Sequence, residues 1–135
     1  AELAKVLPRC QQLQTLNVGH NQFGDAGAGA LAQQLTQCGL LRELQMDNTQ
    51  MTDQGLVALG KVIQQGKHLR KVNLAGTDCG KAGLVMLAAS VKACASLENL
   101  RLTANGGTPL DAEIKKLQDI WMEAGKPAHR LFLES

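Results

Sequence analysis

A nine-residue stretch, LQTLNVGHN at residues 13–21, decides the fold because it returns along the chain at a fixed interval. The later copies are LRELQMDNT at residues 41–49, LRKVNLAGT at residues 69–77 and LENLRLTAN at residues 97–105. Each copy begins 28 residues after the one before it. The shared pattern is L-x-x-L-x-L-x-x-N, with Val or Met at some of the Leu positions and Thr at the ninth position of the two middle copies. An internal repeat of this length indicates a stack of similar structural units.

The same register continues past this stretch and predicts one strand and one helix in each repeat. The alternating L-x-L residues predict a short strand with one apolar face. Asp25 and Asp53 precede a helical pattern and are predicted to be helix N-caps. Asn21, at the ninth position, is predicted to hydrogen-bond the backbone of the neighbouring repeat. The apolar helix positions recur in two columns, Leu31, Leu59 and Leu87, and Leu35, Ile63 and Val91.

A 28-residue period with a helix on the return path resembles the ribonuclease-inhibitor-like class of leucine-rich repeats. The resemblance covers nearly the whole chain and implies an α/β solenoid, a right-handed horseshoe arc. Its parallel strands are expected on the concave face and its helices on the convex face. Repeats of this class occur in ribonuclease inhibitor, NOD-like immune receptors, Ran GTPase activators and actin regulators, so the resemblance specifies a fold and leaves the function open.

The whole chain, residues 1–135, is predicted to be a single leucine-rich repeat domain. Leu3, Leu7 and Cys10 match the helix columns of the next repeat, so the chain is expected to begin inside a repeat of a longer array. The expected segments are the end of a preceding repeat at 1–12, full repeats at 13–40, 41–68 and 69–96, and a divergent C-terminal cap at 97–135.

The last segment departs from the period in a way that predicts a terminal cap. Thr108 and Pro109 are a suitable N-cap and first residue for a last helix, and Gly125 is expected near its end. A final strand is expected around residues 131–133, three residues later than the period requires. The only Trp of the chain, Trp121, lies in the apolar stripe of this helix, so the natural C-terminus is expected to be close.

Composition and cysteine spacing favour a cytoplasmic repeat protein. The net charge is only +2, which does not predict nucleic-acid binding, and the sequence contains no transmembrane stretch. Cys10, Cys38 and Cys94 occupy one repeat column, and equivalent positions in stacked helices should lie about 10 Å apart. A disulfide needs Cα atoms within about 7 Å, so these cysteines are expected to be buried thiols in a reducing compartment.

The sequence predicts neither catalysis nor a cofactor or metal site. The glycine-rich stretch GDAGAGA at residues 24–30 has the order G-x-x-G-x-G, which differs from a dinucleotide-binding loop. His20, His68 and His129 are far apart in the repeat register, with His20 expected on the strand face. No Ser or Cys nucleophile has a matched base, so we expect the protein not to be an enzyme.

Outward-facing strand residues are the predicted binding site, because equivalent positions of parallel strands align in columns across the sheet. The surface is polar, mixed in charge and slightly basic, and it carries no aromatic residue at these positions, which lowers the expected binding energy of any single contact. The predicted partner-binding residues on the concave face are Asn17, Arg42, Glu43, Gln45, Arg70, Lys71, Asn73 and Arg101.

Such a face suits hydrogen-bonded, charge-complementary recognition of a protein. The leading interpretation is a protein-interaction or ligand-sensing module of a larger cytosolic protein, with a NOD-like receptor as the parent that the resemblance suggests. The first alternative is a regulator of an enzyme, such as a GTPase activator or a nuclease inhibitor. The second is nucleic-acid sensing through the weakly basic face. A solvated face, with the partner docking on preceding repeats, also stays open, and the oligomeric state is not predicted.

Overall fold

The computed structural model describes residues 13–22, 24–104, 111–127 and 130–134, without the side chains of residues 77–79, 103, 104, 111 and 132–134. Strands and helices alternate in these ranges: β1 (Thr15–Asn17), α1 (Gly24–Leu35), β2 (Glu43–Gln45), α2 (Asp53–Gln65), β3 (Lys71–Cys79), α3 (Lys81–Ala93), β4 (Asn99–Ala104), α4 (Asp111–Glu123) and β5 (Leu131–Glu134). None of these described helices is long and apolar enough to cross a membrane. The helix expected within residues 1–12 and the cap expected at Thr108 and Pro109 lie outside the described residues.

The strands form one parallel sheet in chain order, from β1 to β5. Leu16 pairs with Leu44, Leu44 with Val72, and Val72 with Leu100, so each step is one 28-residue repeat. The final step is longer, because Leu100 pairs with Leu131. Parallel neighbours need a crossover connection, which the helices provide. The predicted parallel sheet and the three-residue delay of its last strand are both confirmed.

One continuous apolar core lies between the sheet and the helices, and it is built almost entirely of aliphatic side chains. Each strand contributes alternate residues, such as Leu44, Leu74 and Leu100, which are all fully buried. The helices contribute their leucine column, and Trp121 fills the core at the C-terminal end. The apolar columns read from the sequence are therefore the core of the protein.

Asp25 and Asp53, which occupy equivalent positions in successive repeats, do not cap their own helices. The predicted N-cap role of these two aspartates is therefore wrong. Asp25 lies inside α1, and its Oδ1 accepts hydrogen bonds from the backbone N–H of Thr52 at 2.7 Å and of Gly55 at 2.9 Å. Asp53 likewise accepts a hydrogen bond from the N–H of Gly80, the residue before α3, at 2.7 Å. Each carboxylate thus binds the unpaired N–H groups at the start of the next helix in the stack.

The turns after the strands are closed within one repeat, which also differs from the prediction. Asn21 Nδ2 donates to the carbonyl oxygens of Val18 at 2.9 Å and Gly19 at 3.1 Å. Thr49 Oγ1 donates to the carbonyl oxygen of Met46 at 2.9 Å. The ninth position bonds its own turn because the chain reverses there and brings the carbonyls three residues earlier within reach of a short polar side chain.

A left-handed residue recurs in each of these turns, at His20, Asn48 and Gly76, with φ of 63°, 55° and 76°. His20 therefore belongs to the turn that follows β1. The repeated left-handed residue turns the chain away from the sheet and toward the helix layer.

The C-terminal helix ends in a Schellman motif at the glycine that the sequence indicated. Gly125 has φ of 77° and donates its N–H to the carbonyl oxygen of Met122 at 2.9 Å. The N–H of Lys126 donates to the carbonyl oxygen of Trp121 at 3.2 Å. Trp121 Nε1 in turn donates to the carbonyl oxygen of Pro127 at 2.7 Å, which fixes the chain on its way to β5.

Lys126 closes the last described layer of the stack by binding the carbonyl oxygens that follow α3. Its Nζ donates to the carbonyl oxygens of Cys94 at 3.3 Å, Ala95 at 3.2 Å and Leu97, and lies 5.7 Å from the ring centre of Trp121. Burial is the main cause that lowers the pKa of Lys126 from its ordinary 10.5. A lysine ammonium thus satisfies the exposed carbonyls at the C-terminal end of a helix.

Two of the cysteines are described with their side chains, and both are buried thiols. Cys38 Sγ lies 3.8 Å from the carbonyl oxygen of Gln34, and Cys94 Sγ lies 3.5 Å from that of Gly66. Cys10 and the side chain of Cys79 lie outside the described part of the chain.

Candidate functional site

The side of the sheet opposite the helices carries polar residues in aligned columns. Along β2, Glu43 and Gln45 are half-buried while Leu44 between them is fully buried. The same alternation occurs in β1 and in the described side chains of β3 and β4, since side chains of successive strand residues point to opposite faces. We call this surface the polar sheet face. It comprises the outward strand residues Thr15, Asn17, Glu43, Gln45, Lys71, Asn73, Asn99 and Arg101, Arg130 in register with Asn99, and the exposed residues at its edge that directly precede the strands, Gln14, Arg42, Arg70 and Glu98.

Six of the eight residues predicted as the binding site are outward strand residues of this face, and the other two, Arg42 and Arg70, lie at its edge. The strand register aligns Asn17, Gln45, Asn73 and Arg101 in one column, and Glu43 and Lys71 in the next. Arg42 and Arg70 directly precede these strands. Three of the eight are half-buried, namely Glu43, Gln45 and Asn73, and the rest are exposed: Asn17, Arg42, Arg70, Lys71 and Arg101.

Backbone hydrogen bonds between repeats fix the positions of Arg42 and Arg70, which directly precede β2 and β3. Each of them donates its N–H to the equivalent residue of the preceding repeat, Arg42 to the carbonyl oxygen of Gln14 and Arg70 to that of Arg42, both at 2.7 Å. The N–H of Glu98 then donates to the carbonyl oxygen of Arg70 at 2.8 Å. Because adjacent strands lie about 4.8 Å apart, the backbones of Arg42 and Arg70 are separated by about one strand spacing.

The asparagine column is ordered by bonds to its own backbone. Asn17 Oδ1 accepts a hydrogen bond from the N–H of Gly19 at 3.1 Å, and Asn73 Oδ1 accepts one from the N–H of Ala75 at 3.1 Å. These bonds fix the side-chain amides and direct their NH₂ groups away from the turn. A partner that binds this column would therefore meet hydrogen-bond donors whose conformational entropy is already reduced.

Charge is unevenly distributed over the face. At the end of β2, the Asp47 carboxylate lies 3.2 Å from Nε2 of His20 on the neighbouring turn. Glu43, next to Arg42 in the sequence, adds a second carboxylate on β2. Across β3 to β5 the described side chains are mainly cationic, with Arg70, Lys71, Arg101 and Arg130 against the carboxylate of Glu98.

Two residues of this region were not among the predicted site residues, although the late last strand was itself predicted. Leu131 pairs with Leu100, so exposed Arg130 precedes it as Asn99 precedes Leu100. Phe132 pairs with Arg101, which places an aromatic residue type in the asparagine column. The sequence did hold the signal, since a strand three residues late places Arg130 in the column of Asn99 and Phe132 in the column of Arg101.

Outside the polar sheet face, the described surface includes an open apolar groove in the helix layer. The groove has a volume of about 250 Å³ and lies between α3 and α4, lined by residues such as Val85, Ala88 and Ile120, with Glu113 and Lys116 also in its lining. No group of three His, Cys, Asp or Glu side chains in the described ranges is arranged to hold a metal ion.

Comparison with known proteins agrees with this geometry. A leucine-rich repeat family model matches residues 9–32 and 37–60. Comparison with curated protein sequences gives no match. Among solved structures, the chain is similar to actin-binding site 2 of leiomodin-1, with a TM-score of 0.85 and 12% identity over 99% of this chain and 78% of that one. It is also similar to the C-terminal domain of tropomodulin from Caenorhabditis elegans, with a TM-score of 0.76 and 15% identity over 98% of this chain and 80% of that one. The chain therefore folds as an α/β leucine-rich repeat solenoid.

Proposed function

We propose that this chain is a protein-binding module whose partner docks on the polar sheet face. The observation that carries the proposal is the alignment of exposed polar and cationic side chains on consecutive parallel strands, with their backbones fixed by the sheet. A rigid face of this kind loses little conformational entropy when a partner binds. Its mixed charges and amide donors match the polar, hydrogen-bonded character of protein interfaces.

The structural neighbours support a binding role rather than an enzymatic one. The leiomodin-1 structure is described as an actin-binding site, and it shares the arrangement of strands and helices over nearly the whole chain. Actin is therefore the first purified partner to test. The identity is only 12%, so the partner of this chain has to be established from its own residues.

The finer form of the proposal is a ligand-sensing module of a larger cytosolic protein. The buried thiols of Cys38 and Cys94 support a reducing compartment. Rapid alkylation of intact cells, followed by mass spectrometry, tests this point. Both cysteines should be recovered as thiols after denaturation, whereas recovery of either in a disulfide would contradict the cytoplasmic assignment.

The binding proposal is tested with two double variants that change charge equally on opposite sides of the molecule. Arg42→Glu/Arg70→Glu alters the polar sheet face, and Lys61→Glu/Lys92→Glu alters exposed positions of α2 and α3. Binding to purified actin, and to proteins captured from extract and then purified, is measured for both variants and the unmodified chain. Loss of binding only in the sheet variant supports the proposal. Equal binding by the sheet variant and the unmodified chain would place the site elsewhere.

A further inference from the structure

The cations of the polar sheet face are concentrated on its C-terminal half. Beside β3, β4 and β5 the described side chains include Arg70, Lys71, Arg101 and Arg130, and all four are exposed. Among the described side chains of these strands Glu98 is the carboxylate, and Arg101 and Arg130 also make interactions within the chain. Adjacent strands are about 4.8 Å apart, so the four cations originate within roughly 10 Å of one another across the sheet.

The N-terminal half of the same face has the opposite character. Arg42 lies next to the half-buried Glu43, and Asp47 follows at the end of the same strand, where its carboxylate meets His20. The outward residues of β1, Thr15 and Asn17, are uncharged. An anionic partner would be attracted to the cations of β3–β5 and repelled by the carboxylates of β2.

We propose that the partner segment bound by β3, β4 and β5 is an acidic peptide, rich in Asp and Glu. The inference rests on the proposed function, since it names the chemistry of the partner at the same face. Arginine and lysine both pair with carboxylates, and the arginine guanidinium does so through two parallel hydrogen bonds. The amide donors of Asn73 and Asn99, which lie between the cations, add neutral donors for the same oxygens.

The carboxylate of Glu98 favours a peptide over a nucleic acid. Glu98 occupies the position of the next repeat that is equivalent to Arg70, and its backbone N–H donates to the carbonyl oxygen of Arg70. A phosphate backbone carries a charge at every nucleotide and cannot avoid this carboxylate. A peptide can place a neutral or hydroxyl side chain opposite Glu98 and keep its carboxylates for the four cations.

The test uses the full 135-residue chain and a fluorescein-labelled oligoglutamate peptide, with binding followed by fluorescence anisotropy. Arg70→Gln/Lys71→Gln removes two cations from the proposed site. The control variant Lys61→Gln/Lys92→Gln removes two cations from the helix layer, so its net charge equals that of the site variant. Exposed ion pairs are worth about 0.2–1 kcal/mol each, so we expect the first variant to weaken binding about twofold to thirtyfold. The matched control should stay within about twofold of the unmodified chain, since its lysines are remote and screened.

Folding is checked by circular dichroism, and Lys71→Gln/Arg130→Gln serves as a second site variant if the first is destabilised. Equal weakening by site and control variants would overturn the proposal, because it would show a response to net charge alone. Tighter binding of an oligothymidylate of equal charge would overturn it in favour of nucleic acid. If a purified partner requires the polar sheet face but oligoglutamate neither binds nor competes, the acidic-peptide inference fails while the proposed function stands.

Discussion

Replacing Asp25 with alanine should destabilise the stack at the junction between the first two described repeats. The Asp25 carboxylate accepts two backbone hydrogen bonds, from Thr52 at 2.7 Å and Gly55 at 2.9 Å, and a third from the hydroxyl of Thr52. Loss of a helix-capping side chain costs about 0.5–2 kcal/mol. Because Asp25 lies 27 to 30 residues from its donors, the loss acts between repeats rather than within one helix.

The magnitude follows from the partial exposure of this site. A charge-assisted hydrogen bond contributes about 1.5–3 kcal/mol when it is well shielded, but water can replace an acceptor that is only half-buried. We therefore expect Asp25→Ala to lower the free energy of unfolding by about 1–2 kcal/mol. For a chain of this length that corresponds to a fall in Tm of about 3–10 °C.

The effect should also depend on pH in a defined direction. Burial alone raises the pKa of Asp25, but the hydrogen bonds from the side chain and backbone of Thr52 and from Gly55 outweigh it and lower the pKa from 3.8. The unfolded chain therefore takes up a proton at higher pH than the folded chain does. The stabilisation is fully present well above pH 3.8 and is lost as the pH falls through the folded-state pKa.

The assay is thermal and urea unfolding of Asp25→Ala, followed by circular dichroism at neutral pH and at about pH 3. Asp119→Ala, at an exposed position of α4, is the matched control and should unfold like the unmodified chain. The difference between Asp25→Ala and the unmodified chain should shrink at the lower pH. An unchanged Tm at neutral pH, or a difference that grows on acidification, would refute the capping role.

Three further substitutions test other parts of the fold by the same unfolding assay. Leu44→Ala should cost about 2–5 kcal/mol, because a fully buried leucine leaves a cavity, and a Tm shift of only a degree or two would contradict the layered core. Gly76→Ala should cost about 1–3 kcal/mol, since φ is 76° and the added Cβ would clash with Oδ1 of Asn48. As a control, the Cβ of Gly29→Ala meets no atom within 4 Å, so this substitution should stabilise α1 by about 0.5–1 kcal/mol. Lys126→Met keeps the apolar stem but removes the hydrogen bonds to three carbonyl oxygens, so we expect a loss of about 1–3 kcal/mol, and unchanged stability would show that water replaces the ammonium group.

The sheet, its register and the core columns could be predicted from the sequence because they depend on periodicity alone. Leu16, Leu44, Val72 and Leu100 repeat at one spacing, and side chains at equivalent places in a stack must bury the same face. The eight predicted site residues reached one face for the same reason. Their role as a binding site remains a prediction.

Hydrogen-bond partners could not be predicted in this way. Asp25 has a sequence position that suits a cap of its own helix, but the stacking distance brings the next helix within reach of its carboxylate. Asn21 was expected to bond the neighbouring repeat, but it bonds its own turn, because the carbonyl oxygens of that turn are nearer to its side chain. Arg130 was not selected, although the predicted three-residue delay of the last strand places it in the column of Asn99, and the pairing of Leu131 with Leu100 confirms that place.

The most direct test of the account maps binding onto the two sides of the molecule by nuclear magnetic resonance. Amide spectra of the isotope-labelled chain are recorded with and without a purified partner, actin first. We expect shifts concentrated in β1–β5, centred on residues such as Gln45, Asn73 and Arg101, with the outer surfaces of α1–α3 unchanged. Shifts confined to the helices, around Val57 or Val85, would contradict the central claim that the polar sheet face is the binding surface.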